Sequence, residues 1–79
     1  MARRRVKLSF SPQLITEPVI HELGHRFAVV TNIRRADVTR EEGWVILEVD
    51  GDLEDIDRGL DWVKDRGVRV DPVEGELAT

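Results

Sequence analysis

Val29-Val30-Thr31-Asn32-Ile33-Arg34-Arg35-Ala36-Asp37-Val38, the turn-prone stretch Thr39 to Gly43, and Trp44-Val45-Ile46-Leu47-Glu48-Val49-Asp50 decide the fold. Both flanks are rich in β-branched residues, and two such runs around a short turn read as a hairpin. On the N-terminal side, Val19, Ile20, Leu23 and Phe27 recur at helical spacing, with Pro18 suited to the first helical position and Thr16 or Glu17 as the cap. Ahead of that helix, Val6, Leu8 and Phe10 alternate with Arg5, Lys7 and Ser9, the period of a half-buried strand, and a loop follows at Ser11-Pro12. On the C-terminal side Gly51-Asp52 punctuates the chain. Leu53, Ile56, Leu60 and Val63 then mark a second helix, with Asp52 as its cap and Gly67 as its left-handed stop. Val68 to Asp71 alternates again before Pro72, so a last short strand closes the chain.

The resulting order is βαββαβ, the split βαβ pattern of ferredoxin-like α+β folds. Right-handed crossovers place two helices on one face of a four-stranded antiparallel sheet, with the first and third strands central and the second and fourth at the edges. Val6, Leu8, Phe10, Val45, Leu47, Val49, Val68 and Val70 are expected under the helices. Arg5, Lys7, Trp44, Ile46, Glu48 and Arg69 are left on the open face, where a Trp and an Ile among charges make Trp44 and Ile46 candidate partner contacts. One domain is expected over residues 1–74, with a flexible tail at 75–79.

The chain has 79 residues, 35% charged and 41% hydrophobic, which fits one small domain. A domain of this size has a small core and gains from a partner. It contains no cysteine, so disulfides, iron–sulfur clusters and thiol catalysis are excluded, and no cofactor is expected. Residues 1–40 carry eight Lys/Arg against three Asp/Glu, a balance of +5, and residues 41–79 carry four against thirteen, a balance of −9. With a pI near 5.1 and a single short basic cluster at Arg3, Arg4, Arg5 and Lys7, that split reads as two surfaces of opposite sign, not as a nucleic-acid site. The basic start runs straight into an alternating strand, with no apolar run for a signal peptide or a membrane span, so a cytoplasmic location is expected.

His21-Glu22-Leu23-Gly24-His25 matches H-E-x-x-H, in which two helical histidines one turn apart hold zinc and the glutamate activates water. Here both rings lie roughly opposite the apolar stripe of their helix and should be exposed. The extended metzincin pattern fails, because Ala28 stands where its Gly belongs and Thr31 where its third His belongs. The histidines are therefore read as a solvated helix face with adventitious metal affinity at most, and the chain as a non-enzyme. A zinc hydrolase is the remote alternative.

Arg26 to Val38, with Asn32-Ile33 at its centre, resembles the signature of the NIL domain, a small ferredoxin-like module named for an Asn-Ile-Leu triplet. The resemblance runs along most of the chain: Phe10-Ser11, Pro18 and Ile20 look like the family's first strand and helix, and Gly43 to Gly51 like its third strand. Ile56, Gly59-Leu60, Trp62-Val63, Gly67-Val68 and Val70 look like its closing helix and strand. Arg34 stands at the triplet's third position in place of Leu. The resemblance implies one of two settings. In one, the domain sits at the C-terminus of the ATPase subunit of bacterial methionine importers, pairs with its twin and binds methionine near their interface. In the other, it precedes a cluster-binding ferredoxin domain in proteins of sulfur amino-acid synthesis. With neither an ATPase nor cluster cysteines in the sequence, a free-standing domain or an excised piece is expected, and Met1 at its start favours the former.

What carries over is Asn32 and Ile33, as ligand-binding or dimer-interface residues, together with Arg34. A long cation there would favour a carboxylate, a phosphate or a charged subunit contact. On a flat strand Arg34 and Arg35 would point to opposite faces, and charge on an edge strand also guards against unwanted pairing. Trp62 lies about 140° from the stripe of its helix at 100° per residue, outside the main core, and is a further candidate partner contact. The acidic run from Asp50 to Asp57 lacks the spacing of a calcium loop and fits a helix N-terminus. The expectation is a homodimeric module sensing a sulfur amino acid such as methionine. The alternative is an interaction domain with no ligand of its own, serving a protein of sulfur assimilation or transport.

Overall fold

The computed structural model describes residues 1–11, 18–39 and 42–73. The elements follow as β1 (Ala2–Phe10), α1 (Val19–Arg26), β2 (Val29–Val38), β3 (Gly43–Gly51), α2 (Leu53–Asp65) and β4 (Arg69–Pro72). The four strands form one antiparallel sheet in the order β2-β3-β1-β4. This is the expected ferredoxin-like α+β arrangement, with the first and third strands central. The expected tail at 75–79 and the caps Thr16 and Glu17 lie outside the described residues.

Alternation along the strands sorts the side chains into two layers. Val6 stands opposite Leu47 and Leu8 opposite Val45 across β1 and β3, and these side chains are buried with Val49 beneath the helices. Val19 and Leu23 of α1 and Ile56, Leu60 and Val63 of α2 close the core from above. Gly59 lets the helices meet: a Cβ there would lie 2.8 Å from Leu23 Cδ1.

The element ends differ from expectation in three places. Pro18 is the N-cap of α1 and precedes its first helical residue, and its ring offers no capping side chain. Phe27 falls just past the helix in extended conformation, its N–H donating to the Leu23 carbonyl at 3.2 Å, and its ring still packs on the core. Leu53, read as part of the second apolar stripe, is the first residue of α2 and is exposed. The stop at Gly67 is as expected. Its φ is 95°, and the Gly67 N–H donates to the Lys64 carbonyl (2.9 Å) while the Val68 N–H donates to that of Val63 (3.4 Å), the paired bonds of a Schellman cap.

Candidate functional site

β2 is the edge strand that carries Asn32, Ile33 and Arg34. One side pairs with β3 from Val29 to Val38, and among the described residues the other has no neighbour in the sheet. Eight helical residues span about 12 Å, whereas ten extended ones span about 33 Å, so α1 cannot cover β2 along its length. From Asn32 onward every residue of β2 is exposed, and Val30, Ile33 and Val38 are exposed by 64%, 54% and 59%.

A bulge interrupts this strand. Ile33 stands opposite Leu47 but Arg35 stands opposite Ile46, so Arg34 is an extra residue on the β2 side. Leu47 points into the core and Ile46 away from it, which puts Ile33 on the helix side and Arg35 on the open face. In a bulge two residues oppose one, so Arg34 shares with Arg35 the position against Ile46, and its charge contributes to the lowering of the Glu48 carboxyl. The expectation that Arg34 and Arg35 face opposite ways is therefore overturned, because it assumed an unbroken pleat. Asn32 stands opposite Glu48 on the open face. Asn32, Arg34 and Arg35 thus gather there, and Ile33 does not join them.

The remainder of the open face is a ladder of paired charges. Arg5 donates to Glu48 through both Nε and Nη2, and Arg3 pairs with Asp50 at 2.7 Å. Arg69 pairs with Asp71 at 2.9 Å, and Lys7 Nζ sits 5.3 Å from the centre of the Trp44 ring. Although it lies on the uncovered side, Glu48 is only 4% exposed. The hydrogen bonds from Arg5 hold its carboxyl below the usual carboxylate range against the opposing effect of burial, and the charges of Arg5, Arg34 and Arg3 add to the lowering. Sequence reasoning placed Glu48 on this face but missed its burial. The signal was its register opposite Arg5.

Trp44 and Ile46 sit half-buried on the open face. Trp62 belongs to the other layer. Its ring lies 6.0 Å from Phe27, with the guanidinium carbons of Arg26 and Arg66 at 5.3 and 5.5 Å from its centre. The three candidate partner contacts therefore do not form one patch. His21 and His25 are exposed, as expected, with ring centres 4.1 Å apart. Among the described residues no group of three or more His, Cys, Asp or Glu side chains is placed to hold a metal ion. An apolar cavity of about 180 Å³, open on one side, lies between the start of α1 and the far end of the β2–β3 hairpin, with Phe10, Ile20, Val38 and Val45 in its wall. It does not include Asn32, Ile33 or Arg34. Among the described residues no helix is long and apolar enough to cross a membrane.

A βαββαβ module with a long, exposed edge strand and a charge-paired open face is a small ferredoxin-like domain. Residues 4–72 match the family model of the NIL domain, and the chain belongs to that family. Its fold is similar to the crystal structure of the C-terminal domain of an ABC transporter ATP-binding protein from Enterococcus faecalis, with a TM-score of 0.78 at 16% identity. The alignment covers 92% of this chain and 86% of that one. No curated protein matches the chain.

Proposed function

We propose that this chain is a non-catalytic regulatory module that binds a small sulfur amino acid, such as methionine, where two copies meet along β2. The observation that carries this reading is the bare outer edge of β2 with Asn32-Ile33-Arg34 at its centre. Unpaired backbone N–H and C=O groups, together with exposed Val30, Ile33 and Val38, are what a second strand would cover. Asn32 offers an amide donor and acceptor to a ligand's polar groups, and Arg34 adds a cation suited to a carboxylate. Membership of the NIL family and the fold shared with a transporter ATP-binding protein's terminal domain support a regulatory role beside a transport protein, in the cytoplasm.

Calorimetric titration with methionine, homocysteine and cysteine, paired with light scattering, tests the proposal. Saturable heat with one of them, a melting temperature that rises with its concentration, and a dimer mass support it. A monomer with no heat at millimolar ligand overturns it and leaves an interaction domain without a ligand, a reading that half-buried Trp44 and Ile46 on the open face favour.

A further inference from the structure

Helix α1 carries two imidazoles that the reading above does not use. His21 and His25, one turn apart, are both exposed. Their ring centres are 4.1 Å apart and their planes are tilted by 42°, so the two rings already share one patch of solvent. An imidazole nitrogen binds a late transition metal at about 2.0–2.1 Å, which puts the ring centre about 3.2 Å from the ion. Two such ligands at a right angle have centres about 4.5 Å apart, and at the tetrahedral angle about 5.2 Å. The observed separation is a few tenths of an ångström short of the first value and about 1 Å short of the second. Among divalent first-row metals the affinity of a nitrogen site climbs through Ni2+ to a maximum at Cu2+ and drops at Zn2+.

We propose that His21 and His25 form a two-point site for a divalent late transition metal, Cu2+ or Ni2+, clipped across one turn of α1, with water in the remaining positions. The site has a structural consequence. α1 has eight residues and a proline at its N-cap that offers no capping side chain, and helices of that length hold together through their surroundings. An ion bridging residues 21 and 25 locks the turn between them. Because His21 also lines the apolar cavity beside Pro18, Val19 and Ile20, the ion would sit on the cavity's rim and fix that wall.

The test uses tag-free, chelator-treated protein titrated with CuCl2, NiCl2, ZnCl2 and MgCl2, with calorimetry and thermal melting as readouts. One ion per chain is expected, binding in the order Cu2+, then Ni2+, then Zn2+, with no response to Mg2+ and a melting temperature that climbs with the logarithm of metal concentration. His21→Asn and His25→Asn should each lose the metal-induced shift while melting like the parent in chelator, since both side chains are exposed. His21→Gln and the visible absorption of bound Cu2+ provide independent readouts if one variant folds poorly. Equal shifts in parent and variants, weak unsaturable binding, or a comparable response to Mg2+ would each overturn the proposal.

Discussion

Arg5 and Glu48 stand directly opposite each other on the two central strands, and the guanidinium covers a carboxylate that the helices never reach. Because the folded protein lowers the Glu48 carboxyl, the unfolded chain takes up the proton first. The stabilisation is complete above the ordinary glutamate value of about 4.3. It is lost as pH falls from there through the lowered folded value. Glu48→Gln should therefore flatten the acid limb of a plot of urea midpoint against pH. Parallel curves for the two proteins would show that the pair contributes nothing to acid sensitivity.

Arg34 acts on the same carboxylate from the bulge. Arg34→Leu restores the family's triplet and removes one of the charges that keep Glu48 ionised. Titration of the Glu48 side chain by NMR should show its carboxyl moving up toward the ordinary range in this variant. The movement should be smaller than in Arg5→Leu, because the hydrogen bonds from Arg5 are the largest influence. An unmoved Glu48 would place the Arg34 side chain away from the open face.

Gly51 ends β3 against the start of β2, where a Cβ would lie 2.9 Å from the Ala28 carbonyl oxygen and 3.2 Å from Val29 Cγ1. Backbone cannot step aside as a side-chain tip can. Gly51→Ala should cost about 1–3 kcal/mol. With about 4–8 °C per kcal/mol for a domain of this size, the loss is readable in a thermal melt, and an unchanged melting temperature would contradict the packing described.

Ile33 lies on the helix side of β2, opposite Leu47, and is 54% exposed. If a second copy covers this edge, Ile33→Asp should turn a dimer into a monomer by light scattering while leaving the far-UV circular dichroism intact. A dimer that survives the substitution would move the interface elsewhere.

The element order and the strands' places in the sheet were legible because the apolar periods of the two helices and of β1 and β3 are clean. Val6, Leu8, Val45, Leu47 and Val49 alternate without error, and all five are buried. The edge strand was less legible. Its apolar phase runs Val29, Thr31, Ile33 on odd positions and Ala36, Val38 on even ones, which is the trace of the bulge, but a reading by β-branched content passes over it. Leu53 misled because periodicity says which residues share a helix face and not whether the first turn of that face is covered. The burial of Glu48 depended on the partner across the strand, which a single chain read in order does not reveal.

The extra residue at position 34 bears on how this chain can change in length. In a regular strand, losing one residue inverts every side chain beyond the loss, so exposed positions would turn inward for the rest of the strand. Here the insertion is already absorbed. Deleting Arg34 would leave Arg35 opposite Ile46 and Ala36 opposite Val45, with the hairpin's far end undisturbed. Close relatives can therefore differ by one residue at this point and still superimpose on either side of it, so an alignment gap beside Asn32-Ile33 would record a bulge gained or lost with the fold unchanged.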